Sequence, residues 1–164
     1  MKSYPIGPPY ELKLSFPAAW KDEVARFQES RTNITATFDG IRFTPTNGER
    51  CFFQIILIPL IGTNAPLPDL KPQLIQEGER NLSNTVETSI ELQALKGGEA
   101  AGYYYRVTDR KYVSATPTPP DYKYLTEGLA TLGPMVLSFR LFDDDEAAEQ
   151  EALDVIRSAQ ITKQ

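Results

Sequence analysis

The sequence predicts an α+β fold in which helices cover both faces of one central β-sheet. The last third of the chain, residues 97–164, contains three strand-like segments and then one amphipathic, helix-like segment. The run from Cys51 to Leu60 is apolar on both faces except at Gln54, which is typical of a central strand with a packed layer on each side. A sheet of this kind needs helices on both faces.

The first third of the chain predicts a strand, a short helix and a hairpin. Apolar and polar residues alternate over residues 10–16, which indicates a half-buried strand. Apolar residues recur at helical spacing over residues 18–27, which predicts a short helix or turn that packs Trp20 against the sheet. The AspGly dipeptide at 39–40 suits a two-residue turn, so residues 33–46 are expected to form a β-hairpin.

The middle of the chain predicts a second helix followed by a strand. Asp69 suits the N-cap position, and Pro72 is tolerated because the N–H groups of a first helical turn have no intrahelical partner. One stripe of this helix is apolar and contains Leu70, Leu74 and Leu82. Residues 89–95 predict the next strand, which turns at the glycines at 97–98.

The C-terminal region predicts three more strands, one long loop and a final helix. The strands are expected at residues 102–108, 122–130 and 134–142, and the proline-rich loop at residues 114–121. The helix is expected over residues 144–160. Its packing stripe consists of small or β-branched residues, namely Ala148, Ala152, Val155 and Ala159. The alanines imply that this helix approaches the sheet closely.

Four consecutive carboxylates at residues 143–146 precede the final helix and allow two interpretations. Hard cations such as Ca²⁺ prefer several carboxylate oxygens, so the run could hold a calcium ion. Acidic residues at a helix start also cap it and complement its dipole. The run lacks the alternation and the glycine of a calcium loop, so we favour the cap.

Size and charge restrict the classes of partner. The 164 residues fit one domain, which we assign to residues 10–164 after an N-terminal linker at residues 1–9. The net charge of −5, without a cluster of Lys and Arg, argues against nucleic-acid binding, because that binding depends on several phosphate contacts. No apolar run approaches the ~20 residues needed to span a bilayer.

Several kinds of catalytic site are excluded by composition. The chain has no histidine, which removes Ser/His/Asp and Cys/His arrangements and the commonest ligand of zinc, copper and iron. Its one cysteine, Cys51, lies in an apolar run, where a thiol usually packs as a small hydrophobe. The glycines within residues 97–102 precede a strand instead of a helix, so they do not match a nucleotide-binding loop. We therefore predict no catalytic residue, no metal site and no cofactor.

The N-terminus leaves the compartment open. Polar and proline-rich residues follow Met1 and Lys2, so no signal peptide is predicted, and the chain is either cytoplasmic or a mature exported form. The start resembles a short linker after a removed signal or lipid anchor, which favours a periplasmic or membrane-anchored form.

Tyrosines are dense between residues 103 and 124, and two interpretations of them stand side by side. Tyrosine is a favoured strand residue that packs well across a ladder, and it also lines binding sites. Strand alternation predicts that Tyr103, Tyr105 and Val107 face one helix layer, and that Tyr104, Arg106 and Thr108 face the other. The candidate binding residues are Tyr104, Arg106, Asp109, Arg110, Tyr112, Tyr122 and Lys123.

Four short segments resemble the PsbP-like family, which includes Mog-type proteins. They are PheProAlaAlaTrp after the first strand, then GlyTyrTyrTyr, TyrLysTyrLeu and ValLeuSerPhe before the last helix. The resemblance implies an α/β/α sandwich around a mainly antiparallel sheet, and an accessory or assembly role instead of catalysis. Metal sites in the photosynthetic branch use histidine, which this chain lacks, so no metal ligand is carried over.

The expected function is therefore that of a non-enzymatic accessory protein that binds another protein. The contact surface is expected on the tyrosine-bearing part of the sheet and on the loop at residues 109–121. The alternative is a small-ligand carrier or a carboxylate-dependent hydrolase. That alternative requires a concave pocket lined by tyrosines and two acidic groups, for which Glu127, Glu99, Glu91 and Glu87 are the candidates.

Overall fold

The computed structural model describes residues 1–31, 34–60 and 69–163, which form ten strands and two α-helices. The strands are β1 (Lys2–Pro5), β2 (Tyr10–Leu14), β3 (Trp20–Arg31), β4 (Ile34–Pro45), β5 (Cys51–Pro59), β6 (Gln93–Leu95), β7 (Ala101–Thr108), β8 (Tyr124–Leu132), β9 (Met135–Asp143) and β10 (Gln160–Lys163). The helices are α1 (Leu70–Glu79) and α2 (Glu146–Arg157). Neither helix has the length and apolar character that crossing a bilayer requires.

The strands form two antiparallel sheets. The small sheet has the order β1-β2-β10, and the large sheet has the order β3-β4-β5-β9-β8-β7-β6. About half of the described residues lie in strands and about a fifth in helices. The expected α/β/α sandwich is therefore wrong, and the fold is β-rich.

The reason is that neither face of the large sheet carries a full layer of helices. On one face α2 shares the covering with the small sheet, whose Leu12 and Leu14 belong to the same core as α2. On the other face α1 packs against β7 and β8. The apolar run at residues 51–60 predicted helix layers on both faces of the sheet, and the helices cover less of the sheet than this.

The helix or turn expected over residues 18–27 is wrong, because the chain there forms β3. Pairing with β4 runs along the whole length of β3 and provides hydrogen bonds for the backbone groups on one side of this edge strand. Trp20 is buried, as expected, and its ring lies 6.3 Å from that of Phe43 and 6.1 Å from that of Phe53. Val24 shares its face of the strand but is 63% exposed.

The turn expected at Asp39 and Gly40 is also wrong, because β4 runs through both residues. A Cβ on Gly40 would lie 2.5 Å from the carbonyl oxygen of Ile55 and 2.5 Å from the ring of Phe27. Glycine is thus needed because the Phe27 ring of β3 and the Ile55 carbonyl group of β5 both lie close to Gly40, and not because the chain turns there. Residues 32–33, which link β3 to β4, lie outside the described residues.

Other elements form where the sequence predicted them. The strand at residues 10–16, the central strand β5, α1 with its cap at Asp69, and the sequence β7, β8, β9, α2 are all confirmed. The place of Leu82 in the stripe of α1 is wrong, because the helix ends at Glu79 and Leu82 lies in the turn that follows. The loop at residues 114–121 contains no strand or helix. The strand expected at residues 89–95 shortens to its last three residues, and residues 1–9, assigned as a linker, contain β1.

Two apolar cores lie on opposite faces of the large sheet. The larger one joins the small sheet and α2 to the sheet, and all four residues of the predicted α2 stripe are buried in it. The smaller one lies under α1 and contains Leu70, Leu74, Tyr105, Val107, Leu129 and Val136. Among the described residues, α1 and the following segment with Ile90 and Leu92 cover this face of the sheet.

The fold predicts different effects of asparagine at two glycine positions. We expect Gly40→Asn to lower the free energy of unfolding by about 1–3 kcal/mol, because the side chain collides with backbone and with Phe27. Gly48→Asn should cost less, because Gly48 has φ 85° and no atom within 4 Å of its Cβ, and asparagine tolerates this conformation. Urea unfolding measures both. A turn at 39–40 would instead make the two substitutions equally mild.

Candidate functional site

One row of polar side chains crosses the large sheet on the face that carries α1. Its six members lie directly opposite one another on six neighbouring strands, in the order Glu23, Arg42, Gln54, Arg140, Glu127 and Tyr105. Residues that pair directly across antiparallel strands point to the same face, so the register alone brings these side chains together. We call this set the polar row.

One end of the polar row is buried and fully paired. Glu127 is 6% exposed, and its carboxylate accepts hydrogen bonds from the Tyr105 hydroxyl, from Arg140 Nε and, at 3.3 Å, from Asn81 Nδ2. Burial, together with the charge of Glu127, raises the pKa of Tyr105, so the phenol keeps its proton and donates. Both oxygens of Glu127 are therefore occupied.

The other end of the polar row is less well paired. The guanidinium of Arg42 lies 5.7 Å from the ring centroid of Phe27 and 5.4 Å from that of Phe52. Its ion pair with Glu23 is long, at 3.9 Å from Nη1 to Oε2, and Glu23 is 71% exposed. The Nε atom of Arg42 is buried and has no hydrogen-bond partner among the residues that the structure describes. Arg42 is therefore a partly desolvated cation with spare donor capacity.

A cleft of about 210 Å³ lies beside the polar row, between the C-terminal end of α1 and the middle of the sheet. Its lining includes Gln54, Ile56, Ser138 and Arg140 from the sheet and Leu74, Glu77, Arg80 and Asn81 from the helix side. Pockets for drug-sized molecules usually measure about 300–1,000 Å³. The cleft suits a side chain or a few atoms of a ligand better than a complete small molecule.

The part of this face beyond α1 carries half-exposed aromatic rings with guanidinium groups beside them. The rings of Phe52 and Phe142 lie 6.4 Å apart, and that of Tyr122 lies 6.0 Å from Phe142. Arg50 lies 5.1 Å from the Tyr122 ring. We call this region the open sheet face, and it comprises Phe27, Arg42, Phe52, Arg140, Phe142, Tyr122 and Arg50.

Two of the predicted binding residues, Tyr104 and Arg106, lie on the opposite face of the large sheet. The predicted alternation along β7 is confirmed, since Tyr103, Tyr105 and Val107 pack under α1 and Tyr104 joins the core that contains α2. Tyr104 is 7% exposed and donates a hydrogen bond to Gln93 at 3.0 Å. It is therefore largely withdrawn from solvent.

Arg106 is tied into a buried ion-pair network. Its two terminal nitrogens donate to the carboxylate of Asp143 at 2.8 and 3.0 Å, and Nη1 also donates to Thr126 at 3.0 Å. The guanidinium lies 4.1 Å from the ring centroid of Tyr124. Glu149 of α2 lies 3.6 Å from Nη1. These contacts hold α2 and β9 to β7.

The remaining predicted residues are divided between local structure and a shallow cleft. Asp109 caps the turn at residues 110–112, Arg110 donates to the carbonyl oxygen of Thr85 at 2.8 Å, and Tyr112 is buried and donates to Asp121. A cleft of about 150 Å³ brings together three of the predicted residues, Asp109, Tyr122 and Lys123. Of the seven predicted residues, only Tyr122 belongs to the open sheet face.

The acidic run at residues 143–146 has three separate uses. Asp145 caps α2 by accepting from the backbone N–H groups of Ala147 and Ala148 at 2.8 and 3.1 Å. Asp144 pairs with Arg50, and Asp143 pairs with Arg106. Among the described residues, no group of three or more Cys, Asp or Glu side chains is arranged to hold a metal ion.

Sequence reasoning missed Arg42 and Arg140 as members of a site. The density of tyrosines predicted a site within residues 103–124. The polar row is instead formed by one residue from each of six strands, so no dense segment of the sequence marks it. The available signal was a single polar residue inside an apolar strand, as Gln54 is in β5 and Arg140 in β9. Such residues face a surface or a partner, because an unpaired polar group is costly in a core.

The burial of Asp143 predicts a pH dependence of stability. Burial raises its pKa from 3.8 to about 6, against the opposing effect of Arg106, so the folded protein holds this proton more tightly than the unfolded chain does. The free energy of unfolding of the wild type should therefore rise, relative to that of Asp143→Asn, as the pH falls from about 6 towards 3.8. Urea unfolding of both proteins across this range measures the difference. A difference that stays flat or shrinks on acidification would contradict the assignment.

Comparison of the chain with protein-family models, with curated proteins and with solved structures finds no match. Nothing in these comparisons links the chain to the PsbP-like family, so that resemblance stays a prediction.

Proposed function

We propose that this chain is a non-enzymatic accessory protein that binds another protein through the open sheet face. The observation that carries the proposal is the set of partly exposed aromatic rings with arginine guanidiniums 5.1–5.7 Å from their centroids, on the face of the sheet that carries α1. Arginine and large aromatic residues are enriched in protein interfaces and in their energetic hot spots. A surface of this composition suits a protein partner.

The alternative of a carboxylate-dependent hydrolase has less support. A general base must reach the proton that it removes, but both oxygens of Glu127 already accept hydrogen bonds from Arg140, Tyr105 and Asn81. The cleft of about 210 Å³ beside the polar row is small for a ligand carrier. Two wider clefts of about 420 Å³ lie elsewhere, one beside Glu87, Glu91 and Arg106 and one beside Tyr4 and Val24, but none of the tyrosines at residues 103–124 lines either of them. Protein binding needs neither a free carboxylate nor a deep pocket.

Site-specific photocrosslinking tests the proposal. A photoreactive phenylalanine analogue placed at position 52 or 142 replaces one aromatic ring by another, so the fold is retained. We expect these proteins to form a discrete covalent adduct with a partner in the native extract. The matched control position is Val24, which lies on β3, is 63% exposed and faces the opposite side of the sheet.

The control determines how the result is interpreted. Adducts from positions 52 and 142 that are absent from position 24 support the open sheet face as the contact. Absence of an adduct at positions 52 and 142, or the same adducts at all three positions, would contradict the proposal.

A further inference from the structure

We propose that Arg42, with Gln54 and Arg140 beside it, binds a carboxylate side chain of the partner. This inference rests on the proposed function, because it names the chemistry of the group that meets the open sheet face. It starts from the unequal pairing of the two arginines of the polar row, since Arg140 meets buried Glu127 whereas Arg42 meets only exposed Glu23 at 3.9 Å.

The register places the three donors around one point. Arg42 and Arg140 pair directly with Gln54 from its two sides, on β4 and β9. Adjacent strands lie about 4.8 Å apart, so the two arginine backbones are about 10 Å apart, and their long side chains can converge above the Gln54 amide. A group bound above Gln54 is therefore flanked by both arginines, of which Arg140 also contacts Glu127 and Arg42 lies 3.9 Å from Glu23.

The surroundings of Arg42 favour an external anion. The rings of Phe27 and Phe52 lie 5.7 and 5.4 Å from the guanidinium and shield part of it, while 39% of the side chain is exposed, so an external anion can reach the cation. Its Nε atom is buried without a hydrogen-bond partner among the described residues, and an unpaired buried donor is costly. An external carboxylate reaches the exposed part of the same side chain.

Charge and geometry favour a carboxylate over a phosphate. The planar edge of a guanidinium presents parallel N–H groups that match the two oxygens of a carboxylate. The four ionised members of the polar row, Glu23, Arg42, Arg140 and Glu127, sum to zero charge. A carboxylate adds one negative charge, whereas a phosphate dianion adds two and meets a glutamate at each end of the site. The partner segment is therefore expected to present Asp or Glu.

Proton–nitrogen NMR of the arginine Nε–H groups tests the site on the complete wild-type chain. We expect acetate to shift the Nε–H signal of Arg42 in a saturable way, and a hexaglutamate peptide to do so at lower concentration. Arg157 is the internal control, because its guanidinium is already engaged by Asp154 and by the carbonyl oxygen of Lys96. An Arg42 response that does not exceed that of Arg157, or tighter binding of inorganic phosphate than of acetate, would overturn the assignment.

A conservative variant separates charge from geometry. Arg42→Lys keeps the positive charge and an alkyl chain between the two rings but loses the forked donor edge, so acetate should bind about tenfold more weakly. The Nε–H signal of Arg140, which both proteins contain, reports the binding in this comparison. Unchanged signals from Arg106, which lies on the opposite face, verify the fold. Equal affinity of the variant and the wild type would show that the fork is not used.

The two proposals fail in distinguishable ways. If the position-52 adduct forms but the Arg42 signal does not respond to acetate, the carboxylate assignment is wrong and protein binding stands. If the signal responds but no adduct forms at positions 52 and 142, the anion site stands and the proposed function is wrong.

Discussion

The register between β5 and β9 is the constraint on which the rest of the structure depends. The two strands pair over their whole length, from Cys51 opposite Asp143 to Pro59 opposite Met135. Because side chains alternate between faces, a slip of one residue in β5 would turn its core residues to the open side and bring Gln54 into the apolar core. The same register that closes the core on one face therefore assembles the polar row on the other.

The open sheet face follows from the size of α1. A helix of ten residues is about 15 Å long and about 10 Å wide, so it covers two or three strands spaced at about 4.8 Å. In this chain α1 packs mainly on β7 and β8, and its core extends to Ile58 of β5. Among the described residues, β4 and the Cys51 end of β5 lie beyond these contacts. Aromatic rings and the alkyl parts of arginines cover the sheet there, while the charged ends stay near water. The aromatic rings thus give the open sheet face apolar area for binding a partner, and the arginine charges keep it compatible with water.

Local features of the fold could be predicted from the sequence, whereas features fixed by distant pairing could not. The cap at Asp69, the capped start of α2 and the alternation along β7 depend on residues within a few positions. The choice between helix and strand at residues 18–27 depends on β4, and the role of Gly40 depends on β3 and β5. Spacing within one segment carries no information about those partners.

The candidate site shows the same limit. Its residues are spread from position 23 to position 140, and each one alone has the ordinary appearance of a polar residue on a strand. Tyrosine density predicted a site along one strand, but alternation sends neighbouring tyrosines to opposite faces, so a dense run cannot form one surface. Only the strand order, which local patterns do not reveal, shows that Arg42, Gln54 and Arg140 are neighbours.

The distribution of charge explains why one arginine differs from the others. Arg140 pairs with Glu127 on one face of the sheet, and Arg106 pairs with Asp143 and Glu149 on the other, so the three buried carboxylates all have an arginine partner within the fold. Removing either arginine would leave a buried carboxylate charge unpaired, so both arginines are needed for the stability of the fold. Arg42 does not neutralise a buried carboxylate, because its counterion Glu23 is exposed and is solvated without it. Its rings and its unpaired Nε make it the cation of the polar row whose charge is available to another molecule.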